Sequence, residues 1–321
     1  MTLPYFLRLL CLCLGAFFVV HLAVALVVAC AAPAAVGVAG RMRASRAATF
    51  LLVLRLLPAA VGLAAVAGLC APSYLLLEPR ATGEEVGFGF LAAAAFGAAI
   101  CAAALWRAAS ALWSLASCRR YFERTGRRES IGGGSIVVLQ EQSPFLGLAG
   151  LFRPELVVSR AVLNSLTPDE LRSAVEHERA HLASRDNLKR LLLLLAPDPL
   201  PLWAGLGSID SAWRRFTEWA ADDWAADGDT ERCVSLAAAL VRVARLGGRA
   251  VSGPLITALL ADTNQVADRV NRLLAGTPGV RSGGSWPLPL LASAAAAVTI
   301  FATRQPAALD WAHRTLEQLV H

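Results

Sequence analysis

The chain has 321 residues, of which 56% are hydrophobic and only 17% are charged, and its mean hydropathy is +0.53. So few charged residues cannot cover the core of a soluble protein of this length, and the apolar residues are clustered in long runs. A bilayer core about 30 Å thick is crossed by roughly 20 apolar helical residues. The composition therefore excludes an ordinary soluble domain and predicts an α-helical multi-pass membrane protein with a more polar middle region.

Four apolar runs predict four transmembrane helices. They cover residues 9–31, 56–77 and 88–105, with a shorter alanine-rich run at 288–303. The only part that is long and polar enough to fold as a domain lies between the third and fourth runs. We therefore predict three segments: three spans in 1–129, a folded domain in 130–277, and the fourth span with a short tail in 278–321.

The basic residues predict the orientation. Arg41, Arg43 and Arg46 follow the first run, and "CRRYFERTGRR" follows the third. The positive-inside rule then predicts that the domain lies in the cytoplasm and that both chain ends lie on the outer side of the plasma or inner membrane. Because the net charge of +6 is explained in this way, we expect the lipid bilayer to be a partner, and we expect no nucleic acid.

The polar region combines strands and helices. "GGGSIVVLQE" predicts a glycine turn followed by a strand, and "RPELVVSR" predicts a second strand. We interpret "QSPFLGLAGLF" between them as a loop and the rest of the region as helical. The stretch 191–207 contains Pro197, Pro199 and Pro201, so we expect a helix to end there and a loop to dip into the membrane surface.

The stretch "LTPDELRSAVEHERAHLAS" carries the chemistry. Thr167, Pro168 and Glu170 form the capping-box pattern of a helix start. His177 and His181 follow on one face of that helix, one turn apart, so both imidazoles can reach one Zn²⁺ ion. Glu178 is rotated by about 100° from His177 around the helix axis, which suits a general base that holds a metal-bound water molecule.

A catalytic zinc site needs a third protein ligand. The domain contains no other histidine, and the stretch "FTEWAADDWAAD" offers carboxylates instead. Glu218 is favoured because Asp222 lies one turn further on, where it can orient a ligating histidine. The spacing alone leaves three competing candidates open, which are Asp223, Asp227 and the thiol of Cys233.

With these stretches in order, the chain resembles the membrane metallopeptidases of the BlaR/MecR antibiotic-sensor type. The matching stretches begin with "SPFLGLAGLFRPELVVS", which resembles the hairpin ahead of that family's active-site helix. They continue with "LTPDELRSAVEHERAHLASRDNL", "EWAADDWA" and "VADRVNRLL". Three spans before the domain and one after it fit the same family. The resemblance implies an α+β, gluzincin-like zinc peptidase domain held against the membrane by four helices.

The resemblance also implies roles for individual residues. It assigns zinc binding to His177, His181 and Glu218, the catalytic base to Glu178, and a supporting catalytic role to Asp222. The expected substrate is a cytoplasmic or membrane-proximal protein such as a transcriptional repressor, and a separate sensor or repressor protein is an expected partner. The sensors of this family carry a penicillin-binding domain after the last span. We see none in this sequence, so we do not expect β-lactam sensing.

Two alternatives to this function are an HtpX-like protease for membrane-protein quality control and a catalytically silent signalling scaffold. HtpX-type proteases share the zinc motifs but usually have two spans on each side of the domain. A scaffold has no need of the base, so the intact Glu178 argues against it.

Three further expectations concern single residues. The strand with Val157 and Val158 is expected to offer a sheet edge on which substrate pairs as an added strand. His21, within the first run, is expected to be a neutral histidine that bonds to a neighbouring helix. Asp186 and Asn187 either cap the zinc helix or orient His181, and the sequence leaves both roles open.

The orientation is testable with reporter fusions. Fusions at Gly40 and Gly248 should report a cytoplasmic location, and a fusion after Arg304 should report an external one, because the arginine loops are retained inside. Reporter activity in intact cells measures the location at each position. A reversed pattern would contradict the predicted orientation and a cytoplasmic substrate with it.

Overall fold

A computed structural model describes residues 4–77, 87–131, 134–141, 143–199, 204–247, 254–259, 265–275 and 314. The predicted fourth span, residues 288–303, lies outside the described residues. Within them the protein is mostly helical, with three long apolar helices and one small mixed sheet. This architecture confirms the fold class that composition and pattern predicted.

Three helical segments are long and apolar enough to cross a membrane. They are α1 (Tyr5–Ala39), the segment Ala44–Leu77 and α4 (Phe88–Thr125). The second segment consists of α2 (Ala44–Ala65), a π-helical turn (Val66–Cys70) and α3 (Ala71–Leu77). Each segment contains one of the first three predicted apolar runs but extends beyond it, so the helices are longer than the runs that predicted them.

The sheet has five strands in the order β1-β2-β4-β3-β5. They are β1 (Gly126–Ile131), β2 (Gly134–Leu139), β3 (Leu146–Ala149), β4 (Glu155–Ser159) and β5 (Ile256–Ala258). All neighbouring strands are antiparallel except β2 and β4, which run parallel. The chain enters the sheet directly from α4, so this candidate membrane helix and strand β1 are joined without a linker.

Two expectations about the strands are wrong. Leu146–Ala149 form β3, although the pattern alone led us to interpret this stretch as part of a loop; all four residues are buried, so the sequence lacks the polar alternation of a half-exposed strand. The antiparallel pairing of β3 with β4 agrees with the hairpin that the family resemblance implied. The strand with Val157 and Val158 offers no free edge. Val157 faces Val137 on β2 and Gly147 on β3, so β4 lies inside the sheet.

Six helices complete the described fold. They are α5 (Arg160–Ser165), α6 (Pro168–Ser184), α7 (Asp186–Leu195), α8 (Ala204–Ala226), α9 (Thr230–Leu246) and α10 (Val266–Leu274). The capping box of α6 is confirmed. The Thr167 hydroxyl accepts from the Glu170 backbone N–H, and the Glu170 carboxylate accepts from the Thr167 N–H.

Helix α8 belongs to two cores. Its first half packs on α1 and α2 through Leu206, Ile209, Ala212, Trp213 and Phe216. Its last turn, with Ala225 and Ala226, packs on α9 and belongs to the core that also contains residues of the sheet. One helix therefore connects the candidate membrane helices to the domain.

Candidate metal centre

The two histidines of α6 point toward a common position. His177 and His181 are both buried, and their Nε2 atoms lie 3.2 Å apart. This approach follows from the helical spacing of four residues, which stacks the two side chains on one face. Two imidazole nitrogens are thus presented together, as the sequence predicted.

Helix α8 brings Glu218 to the same position. Its Oε2 lies 3.5 Å from Nε2 of His177, and its Oε1 lies 3.7 Å from Nε2 of His181. The ligand atoms of these three residues all lie within 4.8 Å of one another. Two imidazoles and one carboxylate are a donor set that suits zinc, so the residues present fit the predicted ion.

Each histidine ring contacts its own carboxylate through Nδ1, the nitrogen that does not face the other histidine. Asp222 Oδ1 lies 3.0 Å from Nδ1 of His177, and Asp186 Oδ2 lies 2.7 Å from Nδ1 of His181. A carboxylate that accepts the Nδ1 proton fixes the ring and leaves Nε2 to bind a metal. For Asp186 the geometry decides between the two roles left open by the sequence, since it contacts the His181 ring directly. Asn187 instead donates to the carbonyl of Gly150 in the β3–β4 turn.

Arg269 is a buried member of this centre that sequence reasoning missed. Its guanidinium donates to both oxygens of Asp222, at 3.0 Å and 2.6 Å, and its Nη1 lies 3.1 Å from Oε2 of Glu218. Its Nη2 also lies 3.3 Å from Nε2 of His177. Such a bidentate contact fixes the direction of the Asp222 carboxylate as well as its charge. If Glu218 and Asp222 are both buried, their negative charges require a nearby cation. This requirement is the signal by which Arg269 could have been predicted.

The electrostatics of the centre keep its carboxylates ionised. Burial would raise the pKa of Glu218, but His181, His177 and Arg269 hold it well below the usual range. Burial opposes ionisation of Asp222 as well, and Arg269 and His177 nevertheless lower its pKa to about 2. Burial would lower the pKa of His181, but Glu218 and Asp186 raise it to about 10. The centre thus attracts positive charge.

Glu178 differs from the other carboxylates. It is fully buried, and neither carboxylate oxygen has a hydrogen-bond partner among the described residues. Burial raises its pKa, with partial opposition from His181 and His177. A buried carboxylate costs free energy unless it is bonded, so this position is difficult to explain by folding alone. It is suited to a group that exchanges a proton with a reacting molecule.

The competing ligands lie elsewhere. Cys233 lies on α9 and is buried in the apolar core, and Asp223 pairs with Arg272 at 2.6 Å. Asp227 is exposed just beyond the end of α8. Among the described residues, the group that could hold a metal is His177, His181 and Glu218.

His21 lies outside this centre. It is fully buried in α1 and stacks on Phe17, with ring centroids 5.2 Å apart. The backbone groups of Pro58, on α2, and of Pro197 interact with its ring, in line with the expected bond to a neighbouring helix.

Comparison with protein-family models, with curated proteins and with solved structures finds no match. The structure by itself defines a protein with three candidate membrane helices and a buried His-His-Glu group that could bind a metal.

The ligand set is testable by metal analysis. Glu218→Ala should lose zinc, because two histidines alone leave the ion one protein ligand short. Asp222→Asn should weaken zinc binding by roughly 10–100-fold, because the His177 ring is no longer held by a carboxylate. The matched control is Asp223→Asn, on the same helix but paired with Arg272, which should bind zinc normally. Full zinc in Glu218→Ala, with loss in Asp223→Asn, would mean that the ligand is misassigned.

Zinc binding should also depend on pH. With its pKa at about 10, His181 keeps its proton at neutral pH in the metal-free protein, and zinc needs the lone pair. Binding therefore releases a proton, and the affinity should rise by about tenfold per pH unit for each proton released. Chelator competition at about pH 6.5, 7.5 and 8.5, all below that pKa, measures how the zinc affinity changes with pH. An affinity that does not change with pH would contradict the protonated His181.

Proposed function

We propose that the protein is a membrane-bound zinc endopeptidase that cleaves a cytoplasmic or membrane-proximal protein. The observation that carries the proposal is the position of Glu178, buried and without a hydrogen-bond partner among the described residues, next to two histidines and a glutamate that converge. A site that only stored a metal would need His177, His181 and Glu218 but would not need the carboxyl group of Glu178.

The chemistry follows from the groups at the centre. A bound zinc ion would lower the pKa of a water molecule and polarise a peptide carbonyl. Glu178 would take a proton from that water and later deliver it to the leaving amine. A raised pKa suits both steps, since the group must accept a proton and then release it near neutral pH. Asp222 and Asp186 would keep the histidine rings oriented while charge develops.

The resemblance to BlaR/MecR-type peptidases supports a regulatory protein, such as a repressor, as the substrate class. An HtpX-like quality-control protease is the second candidate within the same chemistry. A silent scaffold is disfavoured, because Glu178 is buried without a hydrogen-bond partner among the described residues. Such a carboxyl group costs free energy of folding, and a scaffold would gain nothing from it.

The proposal is tested by Glu178→Gln. The variant should lose proteolysis, because glutamine cannot accept or deliver the proton, and it should still bind zinc, because Glu178 is not a ligand. Cleavage of casein and self-cleavage by the purified full chain measure activity, and metal analysis measures zinc. Glu176→Gln, on the same helix and paired with Arg179, is the matched control and should remain active. Cleavage by Glu178→Gln at the wild-type rate would refute the mechanism.

A further inference from the structure

An ion pair between a candidate membrane helix and α8 stands out from the apolar contacts around it. Arg55 lies within the apolar segment Ala44–Leu77 and is only 4% exposed. Its Nε donates to Oδ1 of Asp210 on α8 at 3.0 Å. The two residues are 155 positions apart in the chain, so the contact belongs to the tertiary fold and not to one helix.

The backbone of α8 also approaches α1 closely. A Cβ at Gly205 would lie 2.8 Å from both the Cα and the carbonyl oxygen of Ala29. Pro33, one turn further along α1, has no N–H, so the Ala29 carbonyl lacks the usual helical donor. The start of α8 is therefore seated against a specific point of α1, and the ion pair lies just over one turn beyond that point.

The same helix continues to the metal centre. Glu218 lies eight residues after Asp210, about 12 Å along the helix axis. Between them, Trp213 and Phe216 make apolar contacts with α1 and α2, which are not directional. Packed helices can have alternative registers one turn, about 5.4 Å, apart. Helix α7, which directly follows α6, packs on the same core through Leu193. A shift of α8 alone would therefore remove Glu218 from its position 3.5 Å and 3.7 Å from Nε2 of the two histidines.

We propose that Arg55 and Asp210 are a positioning pair for the metal centre. They fix α8 on the candidate membrane helices in the one register that brings Glu218 to His177 and His181. Because an unpaired charge in apolar surroundings is costly, registers that separate the two side chains are disfavoured. The inference rests on the metal centre of the proposed function, and it adds a route by which movement of α1 and α2 changes the affinity for the ion.

The test compares zinc affinities of the full chain in detergent, with zinc and a competing chelator as the probe. Asp210→Asn should weaken zinc binding by roughly tenfold or more, in the range found for residues that orient metal ligands. Arg55→Lys keeps the charge but loses the planar guanidinium, and should give an affinity between those of Asp210→Asn and the wild type. The reversed pair Arg55→Asp with Asp210→Arg should recover most of the affinity that Asp210→Asn loses.

The control is the exposed pair of Arg128 and Glu155 on the sheet, whose atoms lie 2.8 Å apart. Glu155→Gln should leave the affinity unchanged. Thermal unfolding of the metal-free variants reports the fold separately, so a general loss of stability is distinguishable from a displaced ligand. If Asp210→Asn does not fold, Arg55→Lys decides the question.

Wild-type zinc affinity in a folded Asp210→Asn or Arg55→Lys would overturn the positioning role while leaving the proposed function intact. An equal loss in Glu155→Gln, or no recovery in the reversed pair, would overturn it as well. Absence of zinc binding in the wild type would overturn both the metal centre and this inference. These outcomes separate a failure of the pair from a failure of the function.

Discussion

The candidate centre depends on the neutralisation of buried negative charge by Arg269. Glu218 and Asp222 come from α8 with their carboxylates fully inside the protein, and two buried anions repel each other unless cations accompany them. Arg269 contacts both carboxylates, and its Nη1 also donates to the backbone carbonyl oxygen of Leu259. This guanidinium therefore links α8 to α10 and to Leu259, the residue that follows β5. The orientation of His177 follows, since its ring is held by the same Asp222.

Local sequence explains how α6 presents its side of the centre. The capping box fixes where the helix begins, and Arg185, in the left-handed conformation at φ 52°, fixes where it ends. The reversal at Arg185 starts α7 immediately, so Asp186 turns back to the His181 ring instead of continuing away from it. Lys189 donates to the other Asp186 oxygen at 2.9 Å and helps to keep this carboxylate ionised.

The parts of the fold that the sequence predicted are those set by local periodicity. The long apolar helices, the capped α6 and the pairing of His177 with His181 all follow from residues within a few turns of each other. Arg269 could not be placed in this way, because it is 47 residues from Asp222 and the intervening chain has no fixed spacing. The position of β4 also depends on a non-local event, its parallel pairing with β2, which put Val157 inside the sheet. Nothing in the strand's own residues indicates which neighbours it has.

The charge balance of the centre links metal binding to the state of the base. Without a metal, the proton on His181 and the charge of Arg269 face the carboxylates of Glu218 and Asp222, and Glu178 has a raised pKa. A divalent ion that replaces the His181 proton adds one net positive charge beside Glu178. In a buried site an added positive charge favours the ionised form of a nearby carboxyl group. The ion would therefore oppose the rise that burial causes in the pKa of Glu178 and favour its ionised form, which is the form that can accept a proton.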